Sequence, residues 1–253
     1  MKLLPCIYAG RPHSFLFLGL FHFIYLARRV SLLQSRPWVI LFCGTFGAMF
    51  GNASNGYLDW EADQTSERAK KHPELYYWDQ IARQKSDFLY SSIVSGALYA
   101  AGTVFLSPLE MYFAWLHVLL VFIYNALVKN TRFKQLTVGF YISSPMFILH
   151  AIHTQQFRSD ELLKWLLWLI FQTKTEYCYD TFDTPQLNVG AIDIAGVICA
   201  SAITCTKFGW ISILPNAIWA RHLYKRTHHI FSPTERNKIL KWDLLIAILL
   251  SIT

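Results

Sequence analysis

Apolar residues recur along this chain in nine runs: 15–27, 37–54, 88–107, 109–128, 135–152, 161–177, 189–206, 208–224 and 240–253. A helix that crosses about 30 Å of hydrocarbon needs about 20 such residues. Most of the runs approach that length, and only the first and last are short. The pattern predicts an all-α chain, a polytopic membrane helical bundle of about nine transmembrane helices. Two polar stretches stand out between the runs, 59–87 and 178–188. Long connections in compact domains are commonly lids or binding segments.

Polar residues at helical spacing mark the start of both stretches. Asn55, Asp59 and Asp63 repeat every four residues in GNASNGYLDWEAD, which places them on one face of a helix. Glu176, Asp180 and Asp183 follow the same logic at i, i+4 and i+7 in TEYCYDTFD. Carboxylates at a membrane boundary are costly and mark a site by default. Magnesium is held by a few carboxylates together with phosphate oxygens and waters, so two such ladders suit a metal–diphosphate site. Isolated acids are a different case: Asp79, Asp87 and Asp160 read as caps or solvated loop residues, and Asp243 as a surface residue.

Composition supports the membrane reading. The chain is 54% hydrophobic and 15% charged, whereas a soluble domain carries about a quarter charged residues. We expect one domain over 1–253, with no soluble module and no cleavable signal in MKLLPCIYAGRPH. Spans 1–4 and 5–8 divide into two halves, each delivering one ladder, without a detectable repeat. The five cysteines form no CxxC pair and read as small core residues.

The net charge of +7 is unevenly spread. With nine spans, the N-terminus and the loops after spans 2, 4, 6 and 8 share one side. That side collects most of the Lys and Arg, among them Arg11, Lys70, Lys71, Lys85, Lys129 and Arg132. The positive-inside rule places it, with both ladders, in the cytoplasm. Nucleic-acid binding is excluded, because no soluble segment interleaves cations with aromatics. Lys129, Arg132 and Lys134 in YNALVKNTRFK are instead cations on the side of the acids, suited to diphosphate oxygens.

These motifs resemble the UbiA superfamily of intramembrane prenyltransferases. Asn-x3-Asp-x3-Asp after span 2 and Glu-x3-Asp-x2-Asp after span 6 are similar to its two acidic motifs. GTFGAMFGNASNG resembles the family's small-residue approach, and YNALVKNTR its Tyr-to-Lys/Arg segment. Three departures are visible. Gly56 follows Asn55 where the family has Asp, Leu187 stands where an acid closes the second motif, and ERAKKHPE replaces an Arg-Pro pair. Glu176 is the expected substitute for the missing acid, ahead of Asn188.

The resemblance implies a helical bundle around a central cavity in the lipid bilayer. It also implies Mg2+ as cofactor, an isoprenyl diphosphate as substrate and a hydrophobic or aromatic acceptor. By that likeness Asn55, Asp59, Asp63, Asp180 and Asp183 hold magnesium, and Glu176 assists catalysis. Lys129 and Arg132 contact the diphosphate, with Lys70, Lys71 and Tyr124 completing the substrate site. A membrane terpene cyclase and an inactive relative or transporter are the alternatives within reach of the same motifs. A histidine-rich di-iron enzyme is the rival from another class, prompted by His150, His153, His222, His228 and His229; their spacing in HAIH and HLYKRTHH is unsuitable.

Overall fold

The computed structural model describes residues 3–11, 23, 31–65, 84–128, 133–134 and 136–141, and further along the chain residues 148, 152, 162, 165–166, 169, 173, 198, 201–202, 205–206, 209–213, 217 and 220–221. Every regular element among them is helical. The chain forms two compact units, Met1–Asn125 and Ala126–Thr253. The division falls near the end of the fourth predicted span, as the two-halves reading expects.

The first unit is built from four α-helices: α1 (Leu3–Ala9), α2 (Arg36–Thr65), α3 (Lys85–Thr103) and α4 (Pro108–Ile123). Helix α1 was not anticipated. Pro5 fits its first turn, where the missing N–H has no intrahelical acceptor to lose. The helix ends as Gly10 N donates to Ile7 O and Arg11 N to Tyr8 O, with Arg11 in a left-handed conformation at φ 54°.

Helix α2 corrects a boundary. The apolar run stops at residue 54, but the helix continues through the first ladder to Thr65, 30 residues in all and about 45 Å long. No proline follows until Pro73, and Leu58, Glu61 and Ala62 are good helix formers. Hydropathy marks where the apolar run stops, while backbone hydrogen bonding carries the helix beyond it.

Helices α2 and α3 pack antiparallel along a seam of small residues. Cβ atoms built at Gly102, Gly47 and Gly96 would come within 2.8–3.0 Å of Phe42, Tyr99 and Phe50 respectively. Farther along, Ser54 Oγ and Ser92 Oγ share a hydrogen bond of 2.7 Å. Small residues allow this approach, the usual device where lipid supplies no hydrophobic drive between helices. Asp87 lies inside the helix and is not its N-cap: Gln84 takes that position, and Asp87, three residues on, accepts from Gln84 N at 3.2 Å as the reciprocal half of a capping box. Asp79, Asp160 and Asp243 lie outside the described residues.

Helix α4 starts at Ser107, which exchanges hydrogen bonds with Glu110: Ser107 Oγ and N donate to Glu110 Oε2 at 2.8 and 3.0 Å. Pro108 occupies the first turn. Glu110, only 5% exposed, also accepts from Arg36 Nη2 at 2.5 Å, which ties the start of α2 to the start of α4. Tyr99 Oη then donates to Ala114 O at 2.8 Å, joining α3 to α4. Removing one partner of a buried ion pair strands the other. Glu110→Ala is therefore expected to cost about 2–3 kcal/mol, discounted because Arg36 reaches solvent. Thermal unfolding in detergent measures it, with Glu110→Gln expected to lose less; an unchanged midpoint in the alanine variant would contradict the pairing.

Together α4 and the π turn that follows it, Tyr124–Val128, form a segment long and apolar enough to cross a membrane, Pro108–Val128. It is the one such helix among the described residues, so the count of nine spans is not established. In the second unit, the described residues within 135–152, 161–177 and 189–206 are all helical. Gly139 lies against the Thr173 backbone and Phe140 edge-on to Trp165 (5.9 Å), which brings the fifth and sixth predicted spans together. A 3-10 turn, Gly209–Ser212, opens the eighth.

Candidate functional site

The first ladder stands on the last three turns of α2. Each step of four residues advances about 40° around the helix, so Asn55, Asp59 and Asp63 form a gently drifting stripe. All three are partly exposed. The opposite flank of α2 at this level meets α3 through Ser54 and Ser92. One turn earlier on the ladder side, Asn52 Nδ2 donates to Gly10 O at 3.4 Å, so the end of α1 docks just before the ladder.

Asn55 carries the most informative atom. Its Oδ1 is buried and has no hydrogen-bond partner among the described residues. A buried amide oxygen without a donor costs about 1–3 kcal/mol and calls for an explanation. A carboxamide oxygen followed by two carboxylates at one-turn intervals is a hard oxygen donor set, which suits magnesium. No group of three or more His, Cys, Asp or Glu converges as a metal cage among the described residues. An open stripe agrees with an ion that takes its remaining ligands from phosphate and water.

Gly56 explains the first departure from the family pattern. A Cβ there would overlap Cδ1 and Cε1 of Phe88. Phe88 is 2% exposed and packs with Ala9, Tyr57 and Trp60, its ring 5.6 Å from that of Trp60. The position is thus filled by a ring from α3, and no side chain fits on α2.

Glu61 sits within the ladder segment but takes no part in it. It is exposed and bonded to Lys85 Nζ at 2.9 Å, and Lys85 lies 5.1 Å from the Tyr57 ring centroid. The hydrogen bond to Lys85 holds the Glu61 carboxyl below its usual range and raises the lysine. Lys85 therefore staples α2 to α3, a role that the charge count alone did not reveal.

At the far end of α4, Tyr124 is half-buried and begins the π turn. Its neighbour Asn125 donates from Nδ2 to Val121 O at 3.0 Å, while Asn125 Oδ1 is buried without a partner among the described residues. Sequence reading missed Asn125, since a single polar residue has no periodic companion to betray it. Lys70, Lys71, Lys129, Arg132, Glu176, Asp180 and Asp183 lie outside the described residues, as do Leu187, Asn188 and the five histidines of the rival reading. Cys6, Cys43 and Cys205 form no disulfide, and Cys178 and Cys199 lie outside the described residues.

Comparison with known proteins places these features. The model of the UbiA prenyltransferase family matches residues 15–186, a segment that contains both ladders. The apo structure of a UbiA homolog from Aeropyrum pernix K1 superposes with a TM-score of 0.64, covering 94% of this chain and 95% of that chain. At 16% identity the likeness shows a shared fold. No curated protein matches the sequence.

Proposed function

The chain belongs to the UbiA prenyltransferase family, and we propose that it is a magnesium-dependent intramembrane prenyltransferase acting over a single domain, 1–253. It takes an isoprenyl diphosphate and passes the prenyl group to an aromatic or lipid acceptor. The observation that carries this reading is the Asn55–Asp59–Asp63 stripe on an unbroken helix, with the Asn55 oxygen buried and unpartnered.

In this reading Asn55, Asp59 and Asp63 hold magnesium with Asp180 and Asp183, and Glu176 supports the second set. Lys129 and Arg132 donate to diphosphate oxygens, and Lys70, Lys71 and Tyr124 complete the substrate site. Magnesium, when bound, neutralises the charge that grows on the departing diphosphate. The chain's part is to fix the donors in place. The Phe88–Trp60 packing seats the end of α2 on α3, and Lys85 pairs with Glu61 across the same two helices. Charge asymmetry assigns the N-terminus and both ladders to the cytoplasmic side.

Because Leu187 supplies no acid, Glu176 carries that load in our reading. Glu176→Gln is expected to lower turnover about tenfold or more, with Asn188→Ala much milder. Steady-state diphosphate release ranks them, and the reverse order rejects Glu176 as the substitute. The test of the function itself is product identity. Purified protein, magnesium and prenyl diphosphates of several lengths are incubated with a membrane extract as acceptor source. A product heavier than its acceptor by one prenyl group supports the transferase. A cyclic hydrocarbon formed without extract would overturn it in favour of a cyclase.

A further inference from the structure

Helix α1 docks on the side of α2 that carries the ladder. Asn52 Nδ2 donates to Gly10 O at 3.4 Å, and seven residues separate Asn52 from Asp59. Seven residues are two turns less about 20°, so Asn52 and Asp59 share one side of the helix. Along the axis Asn52 stands about 4.5 Å from Asn55 and about 10.5 Å from Asp59. The neighbouring contacts agree. A Cβ on Gly10 would come within 2.9 Å of Met49 Cε, and Ala9 packs against Phe88, the ring beside Gly56. Met49, Asn52 and Gly56 lie within about 60° of one another around α2. Helix α1 therefore occupies the flank between the ladder stripe and the α3 seam.

The docked segment is closely held and apolar. Cys6, Ala9 and Gly10 are buried, and LLPCIYA contains no Asp, Glu, Lys, Arg or His. Directly after Gly10, Arg11 keeps its left-handed backbone at φ 54°, which a residue with a Cβ adopts only where its surroundings impose it. Asn52 supplies one such constraint, because Gly10 O belongs to the peptide that leads into Arg11.

Position along α2 gives the contact a meaning. In the metal–diphosphate reading, the diphosphate lies at the ladder and the prenyl chain runs toward the apolar stretch 37–54. Asn52 and Gly10 then stand on the membrane side of Asn55, beside the carbon whose bond to diphosphate oxygen breaks. The bonding electrons leave with the diphosphate. Water that reaches the remaining cation adds its oxygen and loses a proton, giving a prenyl alcohol in place of the transfer product.

We propose that Asn52 is a positioning residue: it latches α1 to the ladder helix, and the latched α1 is an apolar wall that keeps water from the reacting carbon. The inference rests on the metal–diphosphate reading of the first ladder. Asn52 acts here as a donor to a carbonyl and not as a ligand of the cation, although it shares the ladder's side of α2.

Full-length wild type, Asn52→Ala and the isosteric Asn52→Asp are compared in detergent by three measurements. Labelling of Cys6 by a water-soluble maleimide, followed by peptide mass, reports whether α1 stays docked; it is expected to quicken about tenfold in Asn52→Asp and less in Asn52→Ala. The share of prenyl alcohol formed from prenyl diphosphate, magnesium and membrane extract is expected to rise about fivefold in both. Binding of Mn2+ with inorganic diphosphate, followed by electron paramagnetic resonance, is expected to stay within about threefold of wild type in Asn52→Ala. That variant keeps the test open if Asn52→Asp fails to fold. Wild-type labelling of Cys6 in the folded variants overturns the latch, and faster labelling with a wild-type share of alcohol overturns the wall. Mn2+ binding lost in Asn52→Ala and restored in Asn52→Asp makes Asn52 a ligand and overturns the positioning role, with the proposed function left standing. A wild type that neither binds Mn2+ nor releases diphosphate overturns the proposed function and the wall with it, while Cys6 labelling still decides the latch.

Discussion

Replacing Asp59 with alanine is expected to abolish magnesium-dependent release of diphosphate, a fall of more than about a hundredfold, while the protein stays folded. Asp59 is the middle rung of the stripe, one turn from Asn55 and one from Asp63, so its loss splits the donor set. Its carboxylate is partly exposed on a helix held elsewhere by the Phe88–Trp60 packing and the Lys85 staple. The stability cost of the substitution is therefore within about 1 kcal/mol. Diphosphate release and thermal unfolding measured on one preparation separate the two effects. Asp180→Ala is expected to behave in the same way, because the second ladder completes the site in our reading. Full turnover in either variant would sink the assignment of that ladder.

The second large effect is expected at Gly56, where the family pattern alone suggests the opposite. Restoring an acid by Gly56→Asp looks like a repair of the first motif. The structure predicts damage instead. The new Cβ overlaps the Phe88 ring, and that ring is enclosed by Ala9, Tyr57 and Trp60. Moving it opens the α2–α3 seam next to the Ser54–Ser92 bond. Overpacking of this kind, with a carboxylate pressed against an aromatic wall, is expected to cost about 3 kcal/mol. Phe88→Ala makes room but removes a buried ring, itself worth about 3–5 kcal/mol. The double variant should then be more stable than the sum of the single losses by about 1–3 kcal/mol. Thermal unfolding of the four proteins closes the cycle. A Gly56→Asp variant as stable as wild type, binding magnesium more tightly, would contradict the packing account.

Much of the first unit was legible in sequence because hydropathy and helix periodicity coincide there. The runs 88–107 and 109–128 correspond to α3 at 85–103 and to α4 with its π turn at 108–128. Asp87 was legible as a residue of the helix start, though Gln84 three residues earlier is the N-cap and Asp87 bonds back to it. The stripe was legible because three polar residues repeat at one-turn intervals. What escaped sequence depends on partners distant along the chain. Arg36 and Glu110 are 74 residues apart, and neither belongs to a motif. The Gly56–Phe88 contact is a matter of volume between two helices, and composition says nothing about it. Helix α1 is only seven residues long, below what periodicity can announce. The end of α2 was misplaced for a different reason: charge and polarity on one face do not interrupt backbone hydrogen bonding.

The most direct test of the account is release of inorganic diphosphate by the purified wild-type protein. Prenyl diphosphates of graded length are supplied with a membrane extract, in the presence of magnesium or of a chelator. The account predicts release for at least one chain length that disappears with the chelator and returns when magnesium is restored. Release that is indifferent to magnesium, or none at any length from protein shown to be folded, contradicts it.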